Sequence, residues 1–454
     1  MRFRVLVPLA GTVCLLALLV SLSIASVGTA KPAKQNTQAK PASAAAIVPP
    51  AVPNAPAIRK KYGGQTITFI GDNAVGSSHT RDVRLAARFS AATGIKVKVV
   101  PHPTASDAAY AQLARAFSSH SSSIDVMMLD VVWPGAFAPF LLDLKPALGS
   151  QAKLHAQGII QNDTVDGKLV AMPWFGDFGI LYYRTDLLKK YGYSAPPRTW
   201  TELGTMAKKI QAGEQASNPN FYGYVWQGNA YEGLTCDALE WIASSGGGNI
   251  IRNGVVTINN KKAAGALDLI RSWVGTIAPR GVTSYQEEDA RNAFDNGNAA
   301  FMRNWPYAYS ASKGTAVDGK FAVTVLPHEN GAVSVGTVGG WQVGVSKYSK
   351  HQNAAIEWVR YLTSPIVQRY DAIFNSNVPT IPSVAKDPAV VKTNPYLIPS
   401  IATVARATRP ASFLKTHYAQ GSQVIYQAVN QIENGAPASS VLPGVAAKLK
   451  VLLK

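Results

Sequence analysis

Ser123-Ile-Asp-Val-Met-Met-Leu-Asp130 is nearly continuous in apolar residues and closes on a carboxylate. A strand without polar alternation is one covered on both faces, as inside a parallel sheet. The chain on its N-terminal side carries the same reading. Thr66-Ile-Thr-Phe-Ile70 alternates as a first strand, and Lys96-Val-Lys-Val-Val100 forms a second. Between them Val83, Leu85, Ala86 and Phe89 fall at helical spacing, and a helix from Ser106 to Phe117 precedes the third strand. Strand, helix, strand, helix, strand predicts an α/β fold with a parallel sheet. Ligands of such sheets bind beyond the carboxyl ends of the strands, where Asp130 stands.

Downstream the pattern changes. Gly179-Ile-Leu-Tyr-Tyr-Arg184 is another strand, and Thr199-x-x-Glu202 is a capping box that opens a helix through Ile210. Helical patterns follow around 238–244, 262–274 and 289–294. Strands are expected at 321–326 and from Gly336 to Val345, then helices at 353–362, 365–373, 417–432 and 442–453. With 454 residues, 47% of them hydrophobic, the chain is too long for one ordinary domain, and two lobes are expected.

The N-terminus reads as an address. Arg2 and Arg4 precede an apolar run from Val5 to Ala25, and Gly28-x-Ala30 suits a signal peptidase. Residues 1–30 are therefore expected as a signal peptide or anchor, with cleavage after Ala30 favoured. Cys14 follows Thr12-Val13 rather than a small residue, which argues against a lipoprotein. Residues 31–64, rich in Ala, Pro and Lys, read as a flexible tether. The protein is then exported, periplasmic or extracellular, and meets the membrane only through this tether if the apolar run is uncleaved. Much of the net charge of +18 comes from Arg2, Arg4, Lys31, Lys34, Lys40, Arg59, Lys60 and Lys61. The other basic residues are scattered, without an Arg-rich stripe or nucleic-acid motif, so no nucleic-acid partner is expected. Cys236, alone in the body, reads as a small buried hydrophobe.

Catalytic signatures are missing: no HExxH, GxSxG, Walker loop or GxGxxG after a strand occurs. The seven histidines do not cluster, and no metal or cofactor is expected. Glu287-Glu288-Asp289 precedes a helical stretch and reads as acidic complement to a helix dipole rather than as a catalytic pair. What the chain does supply is aromatics beside turn residues and carboxylates. These are Asp130-Val-Val-Trp-Pro134, Pro173-Trp-Phe-Gly-Asp177, Trp226-Gln-Gly-Asn-Ala-Tyr-Glu232, Asn304-Trp-Pro-Tyr307 and Gly339-Gly-Trp-Gln342. Sugars need this mixture: a C–H face packs on an aromatic ring, and hydroxyls bond to carboxylates and arginine.

The body resembles the extracellular solute-binding proteins of carbohydrate ABC importers, the maltose-binding-like cluster, and most of all its trehalose/maltose-binding branch. The resemblance lies in ordered blocks between Gln65 and Ile432. They include Ala91-Ala-Thr-Gly-Ile-Lys-Val97, Met128-Leu-Asp-Val-Val-Trp-Pro134, Gly179-Ile-Leu-Tyr-Tyr-Arg-Thr-Asp-Leu-Leu188 and Pro196-Pro-Arg-Thr-Trp-Thr-Glu-Leu203. Further blocks are Tyr231-Glu-Gly-Leu-Thr-Cys-Asp-Ala-Leu-Glu-Trp241, Ala300-Phe-Met-Arg-Asn-Trp-Pro-Tyr-Ala308 and Gly339-Gly-Trp341. The resemblance implies a two-lobed periplasmic-binding-protein-like fold with a ligand cleft between the lobes. Lobe I would take 65–172 plus 339–383, and lobe II 173–338 plus 384–454. It implies a monomer that binds a di- or oligosaccharide, trehalose- or maltose-like, and delivers it to ABC importer transmembrane subunits by cleft closure, without catalysis.

The roles carried over are these. Asp130 and Asp177 match carboxylates that hold sugar hydroxyls. Trp305, Tyr307 and Trp341 match cleft aromatics, with Gly340 giving backbone access. Tyr231 and Glu232 match a cleft pair, Arg409 a late cleft arginine, and Ser106 a polar contact from a lobe I loop. Two positions depart from the pattern: Ser77-Ser78-His79 stands where relatives often carry an acidic residue, and Phe175 where a tyrosine is common. Two alternatives stay open. The same fold could hold a glycerol-phosphate compound, polyamine or peptide. A glycoside hydrolase would need two carboxylates flanking one bond, for which Asp130 and Asp177 are the candidates.

Overall fold

The computed structural model describes residues 47–73, 78–397 and 405–454. The expected signal or anchor, Cys14 and the first part of the tether lie outside the described residues. In chain order the main strands are β1 (Thr66–Gly71), β2 (Lys96–Pro101), β3 (Val126–Asp130), β4 (Met172–Phe178), β5 (Ile180–Arg184), β6 (Tyr222–Val225), β7 (Ala299–Asn304), β8 (Phe321–Thr324), β9 (Val335–Val345) and β10 (Ala405–Ala407). They form two sheets. One has the order β10-β9-β3-β1-β2, with β4 also paired to β9; the other has the order β8-β5-β7-β6.

The first sheet follows the logic of its central strand. β1 pairs in parallel with β2 and β3. Val126 and Met128 of β3 pack with Phe69, Trp174 and Trp358, while Met127 and Leu129 pack with Leu113 and Trp133 in a separate cluster. Both faces of β3 are thus buried, which is why its sequence lacks alternation. The helices Ser78–Thr93 and Ser106–Ser118 connect the parallel strands as expected.

In the second half, the helix Trp200–Glu214 opens on the expected capping box. Thr199 Oγ1 accepts the Glu202 backbone N–H at 3.0 Å, and the Glu202 carboxylate accepts the Thr199 N–H at 3.3 Å. Thr199→Ala removes one of these bonds and is expected to cost about 1 kcal/mol, read as a lowered urea midpoint at unchanged slope.

The chain passes from the first sheet to the second across Gly179 alone, between β4 and β5. A Cβ at Gly179 would lie 1.9 Å from the Glu240 carboxylate. That carboxylate takes two bonds from Arg303, at 2.7 and 2.8 Å, and one from the Thr337 N–H of β9 at 2.9 Å. One buried ion pair therefore braces both the strand that leaves the first sheet and the strand that returns to it.

Two expectations change here. By composition the tether runs to residue 64, yet from Ile47 the chain is built into the body. Ala55–Tyr62 is a helix, and Val52 and Ile58 are buried beneath the first sheet. Tyr361 donates to the Pro50 carbonyl at 2.7 Å, and Arg59 donates to the Ala91 and Ala92 carbonyls. Composition averaged over the segment hides these few anchors. Residues 173–177, whose aromatics group with turn residues in the sequence, lie within β4, because pairing with β9 takes up their backbone groups.

Candidate functional site

Strand register assembles the first wall of the site. β9 pairs antiparallel with β3 and β4, placing Trp341 opposite both Asp130 and Phe175, and Gly339 opposite Asp177. The register shifts between Trp341 and Gln342, a bulge of the kind that re-aims side chains. Gly340 sits at φ +117°, and a Cβ there would lie 2.6 Å from the Phe175 carbonyl oxygen. Gly340→Ala is expected to cost about 2 kcal/mol of stability through strain and to weaken ligand binding by displacing Trp341; thermal unfolding and titration read the two effects separately.

The other walls come from element ends. Ser78 and Ser106 open the helices after β1 and β2. Tyr231 and Glu232 open the helix Glu232–Ser244, Trp305 and Tyr307 follow β7 directly, and Arg409 follows β10. Every site residue expected from sequence, from Ser78 to Arg409, lines one cavity that encloses about 910 Å³ of space, its mouth included.

Charge organises the floor. Arg409, 5% exposed, forks onto Asp130 with bonds of 2.6 and 3.0 Å and reaches Glu232 at 2.7 Å. Glu232 also accepts from Ser422 at 2.6 Å and from the Tyr418 hydroxyl. Burial pushes the Glu232 carboxyl up, while Arg409, Ser422 and Tyr418 restrain it. Asp177 is pushed well above the usual carboxylate range by burial and by the charges of Asp72, Asp371 and Asp130. Its Oδ1 is shielded from solvent and has no hydrogen-bond partner among the described residues.

The aromatics frame the space above. His102 stacks on Trp341 at 5.3 Å between ring centroids, and Trp133 meets Trp341 edge-on at 5.6 Å. The Arg303 guanidinium lies 3.9 Å from the centre of the Trp305 ring. The Tyr307 hydroxyl donates to Glu288 at 2.5 Å, and Glu288 is held in turn by Arg291.

The sequence reading also missed and misassigned residues. Glu287 and Glu288 do open a helix, Glu287–Asp295, but both line the cavity as well, and burial pushes Glu287 up. Asp72, His102 and Asn377 line it too. Conversely, Trp174 and Trp226, grouped by context with the site aromatics, are core residues exposed by 1% or less. Trp226 donates to Glu433 at 2.7 Å, a partner 207 residues away. Cys236 is buried as expected, and its thiol is pushed up by burial, although it touches the cavity.

Comparison with known proteins places this geometry. A family described as bacterial extracellular solute-binding protein matches residues 76–369. A probable ABC transporter-binding protein of Deinococcus radiodurans is 47% identical over 395 residues, 85% of this chain and 94% of that protein. The solved structure of maltose-bound MalE3 from T. maritima superposes with a TM-score of 0.79 at 36% identity, over 86% of this chain and 100% of that one. A solute-binding protein of an ABC transporter from Thermotoga lettingae, bound with α-D-tagatose, shares the two-lobed fold at a TM-score of 0.74 and 20% identity, over 86% of this chain and 100% of that one. The family match covers every cavity residue named above except Asp72, Asn377 and Arg409, and the chain belongs to the bacterial extracellular solute-binding proteins.

Proposed function

We propose that the protein captures a di- or oligosaccharide of the trehalose or maltose kind outside the cytoplasm and delivers it to the transmembrane subunits of an ABC importer. The observation that carries this reading is the pairing of aromatic surface with hydroxyl-binding groups in one cavity: Trp341, Trp305 and Tyr307 beside Asp177, Glu287 and the Arg409 cluster. The likeness to maltose-bound MalE3 over most of the chain supports it. In this reading the monomer has lobe I at 65–172 plus 339–383 and lobe II at 173–338 plus 384–454. The lobes close on the ligand about the strands on either side of Gly179, and ligand contacts to both lobes favour the closed state.

Capture proceeds without chemistry on the sugar. Hydrolysis would need Asp130 and Asp177 as a working pair, and Arg409 already engages both oxygens of Asp130. Calorimetric titration with trehalose, maltose, maltotriose, glycerol 3-phosphate, spermidine and a short peptide tests the reading. Saturable binding of at least one saccharide, recovered unchanged afterwards, is the expected result. Binding of a non-sugar with no response to any saccharide overturns it.

A further inference from the structure

The arginines at and behind the cavity are all engaged. Arg409 serves Asp130 and Glu232. Arg303, beneath Trp305, serves Asp237 and Glu240. Arg81 serves Asp82 and Asp371, with Asp72 at 3.9 Å. Arg291 serves Glu288 and Asp295. At each centre the carboxylates outnumber the guanidinium. Two more carboxylates, Asp177 and Glu287, line the cavity and form no ion pair among the described residues. In a chain of net charge +18, this is a local reversal of sign.

Trp305 relates the two unpaired groups. One edge of its ring lies 3.0 Å from where a Cβ on Gly339 would stand, and that point is 3.2 Å from Asp177 Cβ. The indole N–H at its other edge donates to Glu287 at 3.4 Å. Glu287 is thus bonded at one edge of the ring, and the Asp177 side chain leaves the backbone near the other. Asp177 is faced by Asp72 from the end of β1, Asp130 from β3, Asp371 from the helix Pro365–Asn375 and Arg303 from β7. Glu287 is faced by Tyr231, Trp305 and Arg303. A cation over such a ring gains from the carboxylates and from the ring's own quadrupole. An anion meets guanidinium groups already outnumbered by carboxylates, with only Arg409 Nε and one Arg81 nitrogen left without a hydrogen-bond partner among the described residues at these centres.

We propose that the site is built for a saccharide bearing a protonated amine, held by Asp177 and Glu287 about the Trp305 ring, and that it turns away saccharides bearing a carboxylate or phosphate. The proposal rests on the saccharide reading above and deepens it. Burial pushes both carboxyls up, helped at Asp177 by neighbouring carboxylates and opposed at Glu287 by Tyr231, Trp305 and Arg303. An arriving ammonium opposes that shift more strongly than a sugar hydroxyl does.

Titration calorimetry at pH 7 tests this. The ligands are trehalose and maltose, their 2-amino-2-deoxy counterparts, their glucuronate counterparts and spermidine. The amino sugar is expected to bind about 10-fold or more tighter than its neutral parent, and the glucuronate about 100-fold weaker. Asp177→Asn and Glu287→Gln are each expected to shrink the ratio of amino to neutral affinity, a ratio that a general loss of fold does not produce. If neutral saccharides bind and the amino forms gain nothing, or the ratio survives both substitutions, this proposal fails while the saccharide reading stands. If no saccharide binds and spermidine does, the saccharide reading fails and takes this proposal with it. Should either variant not fold, the wild-type ratio decides.

Discussion

Arg409→Met is expected to lower stability by about 3–5 kcal/mol and to abolish detectable ligand binding. Arg409 is nearly fully buried, and so are the two carboxylates it serves, Asp130 at the end of β3 and Glu232 at the head of a helix in the second half of the chain. Burial opposes the charge of the guanidinium, and Asp130 and Glu232 overcome that opposition and hold it firmly protonated. Methionine fills similar space but leaves two buried carboxylates facing each other with Tyr418 and Ser422 as the donors to Glu232. Breaking one side of a buried pair costs more than the pair contributes, because the residue left behind keeps its desolvation cost. The same logic gives a rescue. Asp130→Asn and Glu232→Gln in the Arg409→Met background remove the stranded charges, and the triple variant is expected to recover a large part of the lost stability but not the binding. Urea unfolding of wild type, the single variant and the triple variant reads the result. A loss below about 1 kcal/mol in the single variant shows that the cluster is not a stabilising centre.

How far the sequence could be read depended on whether a residue's partners are local. The capping box at Thr199 and Glu202 closes within three residues, so its pattern is its structure. β3 announces burial on both faces through five consecutive apolar or terminal positions, and the helices around it show their own period. Trp226 and Trp305 carry no such signal. Both sit beside turn residues, yet one is sealed against Glu433 in the core and the other stands at the cavity. What separates them is contact with segments far along the chain, which spacing does not encode. Glu287 shows the opposite failure. Its place at a helix start explained it fully, so nothing in the pattern called for a second role, although the same position faces the cavity. The cavity residues Asp130, Asp177, Trp341 and Arg409 were legible through resemblance to a family rather than through spacing. Their meeting depends on the register of β9 against β3 and β4 and on pairings 177 and 279 residues apart. The anchored segment at 47–62 escaped because a few buried contacts decide its order, and composition averages over them.

Trp341 then becomes the residue whose loss should affect binding most cleanly. The register that sets it opposite Asp130 and Phe175 also projects its ring into the cavity, where it is only partly buried, while Trp133 and His102 fix its orientation. A ring held in place before the ligand arrives loses little freedom on binding, so most of its contact energy appears as affinity. Trp341→Ala is expected to weaken saccharide binding about 100-fold, equivalent to about 2.7 kcal/mol. Trp341→Phe keeps an apolar face in the same place and should lose about 10-fold or less. Trp226→Phe supplies the contrast. It leaves the Glu433 carboxyl buried without its indole donor, so it should lower the unfolding midpoint and leave the affinity of the folded protein close to wild type. Measuring dissociation constants and unfolding midpoints for all three separates a ring that holds ligand from a ring that holds the fold. If Trp341→Ala binds saccharide as tightly as wild type, the aromatic row is not the sugar-binding surface, and the ligand is held by the polar groups alone.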